Sequence, residues 1–511
     1  MKNIKILSKW SVFLLLVFGY FQLVNCGSGI DNTNDEVSRS DEETTEEITL
    51  YTSFIDSDNW EAFDLQNSDV SSNDLSGLHC GVFDDRYVYF CGNKNSSNTR
   101  YGEIARYDTE GDFDSEDSWT SYDPGSNGVG SSPAQYFSGE YDGERYIYFI
   151  PYCNGSCAST GDIVRYDTQA DFDDSDSWDA FDLSGINASY INNKYSTYDG
   201  ERYLYIYGYS QYFFKYDTQA DFDDAASWEV FDSDDDFGLG YTSSGYDSSA
   251  QIESFCDSIY YEGYLYFTPC FGERALRLDT SSDFTDLTSW EIFDLVSGGV
   301  LDDHETDLGT DSHPAGSFQN LSFDGQYIYF GQSYMGPMVR YNTEGDFDSA
   351  DSWETADFIS LGVSSFIMEG TSNAANNKSG GYIYGGFDGR YIYFLPEEYC
   401  YYTDRLGVDG GVKISLDEAG DPLCKIYHTE VLRFDSQGDF DSADSWETYN
   451  FFFNGTGTYQ GASFRAGVFD GQYLYLVPYR KVDRVAQGEI IRFKARETSE
   501  IPESILGGGA F

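Results

Sequence analysis

Residues 464–497 read FRAGVFDGQYLYLVPYRKVDRVAQGEIIRFKARE. FRAGVF is a candidate strand. Asp470-Gly471-Gln472 is a tight turn, and YLYLVPY is a second strand. RKVDRVAQG is a loop, and EIIRFKA is a third strand. Aromatic and β-branched residues at period two, bounded by Asp-Gly turns, form antiparallel meanders. Complete copies of this unit continue further. Their third strand ends in a phrase such as Tyr341-Asn342-Thr343, an acidic loop (EGDFDSADS) follows, and a fourth strand opens at a tryptophan.

Working outward, the unit recurs along the chain. Trp60, Trp119, Trp178, Trp228, Trp290, Trp353 and Trp446 each follow an acidic loop. The second-strand phrase is centred on Tyr87, Tyr146, Tyr203, Tyr264, Tyr327, Tyr391 and Tyr473. A period of about 60 residues marks a stacked or circular array. The ends decide between the two. The first copy supplies only a fourth strand, around Trp60, and the last stops after its third, near Phe493. Seven sets of four strands result only when the Trp60 strand completes the final set. A ring closes in this way and leaves no open sheet edge, whereas an open solenoid needs capping repeats. The expected fold is all-β: a seven-bladed β-propeller of four-stranded antiparallel blades over residues 51–497.

The order Asp-Gly turn, YIYF strand, Arg-Tyr-Asp-Thr, loop and tryptophan resembles the kelch repeat. That resemblance implies an aromatic ending strand three packed on the tryptophan that opens strand four. The glycine doublet after strand two is absent here, and the loop before tryptophan is longer and acidic. The repeat is therefore kelch-like.

Residues 1–26 read as an export signal. Lys2, Lys5 and Lys9 precede an apolar run, Trp10 to Tyr20, that is too short to span a bilayer. Leu23-Val24-Asn25-Cys26-Gly27 resembles the lipobox of bacterial lipoproteins, with Asn25 departing from its usual small residue. The resemblance implies a lipid on Cys26 and an outer-membrane, cell-envelope or cell-surface address. An ordinary secretory signal is the other reading. Residues 27–50 are polar and acidic, lack aromatics and form an expected flexible tether. Residues 498–511 form a C-terminal tail.

The chain carries 29 Lys and Arg against 89 Asp and Glu, a net charge of −60. A field of that sign repels phosphate backbones and excludes nucleic acid as a partner. Besides Cys26 there are eight cysteines, an even number that reads as disulfides in an exported chain. Cys80 and Cys91 bracket one first turn and Cys256 and Cys270 another, so each pair is expected to join strands one and two of its blade. Cys153 with Cys157, and Cys400 with Cys424, are then local closures by elimination.

In a four-stranded blade, loops one–two and three–four leave one face, and loops two–three and four–one leave the other. The first set is uniform here. The second varies in length and content, as in 295–321, 357–385 and 395–430, and irregular loops on a rigid scaffold are where binding resides. Candidate ligand residues are Tyr399, Tyr401 and Tyr402 beside Cys400, and His304 and His313 among aspartates. The acidic loops repeat Asp112, Asp114 and Asp117 as Asp171, Asp173 and Asp176, as Asp346, Asp348 and Asp351, and as Asp439, Asp441 and Asp444. Oxygen-rich loops admit calcium, but they lack the glycine and terminal glutamate of an EF-hand, and the aspartates also suit capping of their own turns. No metal site is assigned.

No nucleophile elbow, zinc-protease motif or phosphate loop is present. The expected function is binding of an extracellular protein or glycan through the variable loop face. An extracellular enzyme acting on polysaccharide and a structural surface-coat protein are the alternatives.

Overall fold

Seven four-stranded antiparallel sheets form among the described residues. In the computed structural model these are residues 51–498, without 155, 157, 159, 209–210, 234–254, 271–273, 302–317, 333–336, 364–381, 397–429, 459–462 and 482–484. The signal with Cys26, the tether, most of the tail, Cys157, Cys400, Cys424, His304, His313, Tyr399, Tyr401 and Tyr402 lie outside the described residues.

Six blades run in chain order, and the seventh closes the ring. Its order is Trp60–Asp64, Glu489–Lys494, Tyr473–Arg480, Ser463–Phe469. Trp60 lies opposite Phe493, and Asp64 lies opposite Glu489. Tyr51 bridges Arg496, which extends the pairing before the strand. The first strands are Leu78–Phe83, Pro133–Tyr141, Asn193–Tyr198, Phe255–Tyr261, Phe318–Phe323, Tyr382–Phe387 and Ser463–Phe469. Each packs on the first strand of the next blade, and the seventh packs on the first, so these strands surround a central channel.

The repeated residues account for this regularity. In six blades the turn after strand one carries an aspartate. Asp84 Oδ1, for example, accepts from the amides of Arg86 and Tyr87, while Oδ2 accepts from the Tyr89 hydroxyl. The next turn position is left-handed, and glycine fills it as Gly143, Gly200, Gly325, Gly389 and Gly471. Asp85 takes the same conformation without glycine, at φ 76°. Blade four departs from the pattern, with Tyr261 opposite Tyr264 across a shorter Glu262-Gly263 turn.

Each tryptophan indole N–H donates to the carbonyl of the phenylalanine six residues earlier, from Trp60 to Phe54 at 2.9 Å through Trp446 to Phe440 at 3.1 Å. The acidic loop is thereby folded back on its own strand. Its aspartates cap a short 3-10 turn: Asp174, Asp224 and Asp286 each accept from the amide two residues on. Among the described residues, no group of three His, Cys, Asp or Glu is placed to hold a metal ion.

Blades are joined by the same residues. Trp119 stacks on Phe63 of the preceding blade at 4.8 Å, and at the seam Trp60 stacks on Tyr449 at 4.3 Å. The third-strand cation is held between two rings. Arg340 lies 4.0 Å from the Tyr327 ring of its own blade and 4.6 Å from Phe440 of the next. Its guanidinium also donates to Glu354 on strand four. Arg433 repeats this across the seam, between Tyr391 at 4.0 Å and Phe54 at 4.8 Å. Burial, aromatic stacking and charge all act at each blade interface.

Candidate ligand site at the channel mouth

The first strand of every blade carries a bulge, and the bulge breaks the repeat. In blade one, Leu78 lies opposite Gly92 and Cys80 opposite Cys91, so His79 has no partner in the ladder. The same slip passes over Phe137, Lys194, Cys256, Gln319 and Arg465 in blades two, three, four, five and seven. These six residues stand at one position, four before the aromatic that is the last paired residue before the turn or, in blade four, the last but one. In blade six the slip falls two residues later, at Gly385. A bulge bends its strand and re-aims a side chain, and bulges gather at barrel rims and beside working sites. Seven different residue types occupy the seven bulges.

Five of them meet around the mouth of the channel, at the end where the variable loops emerge. The His79 ring lies 4.2 Å from that of Phe137, and its Nδ1 lies 3.2 Å from the Phe137 carbonyl. The Lys194 ammonium lies 4.5 Å from the Phe137 ring and 4.5 Å from the Tyr152 ring. Arg465 lies 4.3 Å from the Tyr479 ring, with Arg480 4.5 Å from the same ring. Arg465 also donates to Gln319 Oε1 at 3.1 Å, reaching from blade seven to blade five past the bare Gly385. Gly467 two residues on is forced, because a Cβ there would overlap the Gly385 backbone. Close approach of these two strands lets Arg465 reach so far.

Among the described residues, Lys194, Arg465 and Arg480 come together at the mouth. Burial, and then Arg465, lower the Lys194 ammonium to about 7. Burial first, then Arg465, Lys194 and Arg480, hold the His79 imidazole well below its usual value. Like charges held this close disfavour one another's protonated forms.

Further along the same strands lie carboxylates. Burial pushes Asp257 up to about 7 against the pull of bonds from the Leu321 and Ser258 amides. Glu140, two blades away, is raised well above its usual range by burial and by Asp257. Thr197 and Ser258 hydroxyls meet at 2.6 Å between them, and Ser138 and Ser196 at 3.0 Å. A mouth of aromatic and basic residues thus lies above a polar, carboxylate-lined throat.

Of the residues singled out in the sequence, Cys80 and Cys91 form a disulfide between strands one and two of blade one, as Cys256 and Cys270 do beside strands one and two of blade four. The second bridge pins a bulge residue. Cys153 is buried on strand two of blade two. The channel-mouth set was not legible from loop length. One signal was available: Lys194 and Arg465 stand on first strands, where the other copies carry no Lys or Arg, whereas the third-strand cation recurs in every blade.

No family model and no curated protein matches this chain. Solved structures similar to it include YCF48 from Cyanidioschyzon merolae, at 12% identity and TM-score 0.46, over 85% of this chain and 99% of that one. YCF48 bound to D1 peptide is similar at 10% identity and TM-score 0.45, over 88% and 99%. The RRP9 WD40 repeats are similar at 7% identity and TM-score 0.45, over 86% and 98%.

Proposed function

We propose that this chain is an exported, lipid-anchored, kelch-like propeller that binds a protein or glycan at the cell envelope through its variable face, centred on the ring of bulge residues. One observation carries the reading. Six blades that repeat one another elsewhere place six different residue types at a single inner-strand position, and five of these meet at one mouth. A scaffold needs no such diversity; a recognition surface does.

Other features support the address. Disulfides persist in oxidising compartments, and two form among the described residues. No helix among the described residues is long and apolar enough to cross a membrane; in this reading the Cys26 motif supplies the attachment. Tyr166 packs on Trp178 at 4.5 Å, as the kelch-like reading expects of the third-strand aromatic.

The test is a glycan and envelope-protein binding screen beside a hydrolase panel, with and without calcium. Saturable binding without turnover supports the reading. Turnover of a polysaccharide replaces it with the enzyme alternative.

A further inference from the structure

We infer that the throat of the channel holds a calcium ion between blades two and four: Asp257 and Glu140 supply its carboxylates, and the Tyr207 hydroxyl and water complete an all-oxygen set.

Three observations lead to it. First, the two carboxylates face enclosed space and not packed side chains. Glu140 and Asp257 stand on first strands, which surround the channel. Each keeps partial exposure, yet burial is the leading influence on both carboxyls. Water-sized space inside the ring, cut off from bulk solvent, accounts for both facts.

Second, the pair is uncompensated among the described residues. Amides of Leu321 and Ser258 act on Asp257, and the Tyr198 amide and Asp257 itself act on Glu140; no Lys, Arg or His is among these groups. Each Asp257 oxygen accepts from one amide, and a carboxylate has about four acceptor sites, so lone pairs remain. Two such groups in one enclosed space draw in a cation or take up protons.

Third, neutral oxygens turn toward the same place without partners. The Tyr207 side chain is 1% exposed. Burial, and after it Asp257, hold its phenol well above the usual value, with Ser258, Thr197 and Glu140 also acting on it. Thr197 and Ser258 are engaged with one another, and the Tyr207 oxygen makes no hydrogen bond of proper geometry. Thr268 lies opposite Asp257 in the ladder and therefore on the same sheet face. It is fully buried, and its Oγ1 has no partner either.

An oxygen set selects a hard cation, and two carboxylates match a double charge. Magnesium demands near-ideal octahedral geometry and sheds water reluctantly, whereas calcium accepts irregular sets that include water.

The test uses the full chain, stripped by chelator, in about 0.15 M potassium chloride to screen the acidic surface. Calcium is the probe, with magnesium as control, read by calorimetry and thermal melting. One calcium per chain is expected with Kd on the order of 10⁻⁴ M, as in extracellular calcium modules, together with a raised melting temperature that magnesium does not reproduce. Asp257→Asn and Glu140→Gln should each weaken this binding about tenfold or more and abolish the melting shift. Asp348→Asn with Asp351→Asn, on the acidic loops, should leave both unchanged. Should the throat variants fold poorly, Tyr207→Phe removes one hydroxyl alone and should still weaken calcium severalfold. Absence of a saturable calcium site overturns the inference and leaves the two carboxyls held by protons. A site that survives the throat variants, or is lost in the loop variant, overturns it equally. The experiment needs no ligand at the mouth, so its failure leaves the proposed binding role standing.

Discussion

The tryptophan that opens each fourth strand does two things at once. Its N–H ties the acidic loop, and its ring fills the interface with the preceding blade, as Trp353 does with Phe347 and Phe293. Trp353→Phe keeps most of the ring contact and loses the hydrogen bond, so it should cost about 1 kcal/mol. Trp353→Ala should cost about 3–5 kcal/mol; denaturant unfolding of both variants checks the difference. Asp257 gives a prediction of opposite sign. Its carboxyl is held near 7 when folded and ionises near 3.9 when unfolded. The unfolded chain therefore loses this proton first, and stability falls as pH rises between those values, by roughly 1.4 kcal/mol per unit from this group. Asp257→Asn removes that slope. The variant's stability relative to wild type should improve steadily from about pH 4 to about pH 7, and parallel pH curves for the two proteins would contradict it. Tryptophan, aspartate and tyrosine positions were legible because they recur. His79, Lys194 and Arg465 were not, since a bulge is set by inner-strand pairing and its side chain is the one that differs from copy to copy.

A blade interface is held by parts borrowed from both sides. The third-strand cation lies between a tyrosine of its own blade and the loop phenylalanine of the next, so the acidic loop is a fastening between blades as well as a connector. The sequence placed these loops on the uniform face, and the structure gives the physical reason for their uniformity. Aspartates cap the turn, phenylalanine enters the interface, and tryptophan holds both. Replacement at the seam tests this most sharply. Phe54→Ala removes the ring that meets Arg433, Trp60, Tyr393 and Phe493 and should destabilise by about 3 kcal/mol or more. Hydrogen exchange should then quicken first in Trp60–Asp64, ahead of the other blades. Uniform quickening around the ring would argue that the seam is no weaker than any other interface. The variable loops were recognisable from their lengths, but their named candidates, Tyr399, Tyr401, Tyr402, His304 and His313, fall outside the described residues. The channel-mouth residues stand on the first strands of the blades instead.

At the scale of the whole molecule, ring closure was readable from where the repeat starts and stops, and Trp60 pairs with Phe493 accordingly. Function was less readable. Charge excluded partners more readily than it named one, and the meeting of Lys194, Arg465 and His79 at the channel mouth depends on residues far apart in the chain. Attachment belongs to this scale too. With a lipid on Cys26 the protein should sediment with membranes, and Cys26→Ser should release it or stall its processing. Soluble wild-type protein with its N-terminus elsewhere would end the anchor proposal. The most direct measurement compares the two faces against whichever ligand the envelope screen recovers. One variant carries Phe137→Ala and Tyr152→Ala at the mouth; the other carries Asp348→Asn and Asp351→Asn on the opposite face. The mouth variant should bind about tenfold or more weaker and the other should bind as wild type does. Loss of binding in the second variant with retention in the first would contradict the account.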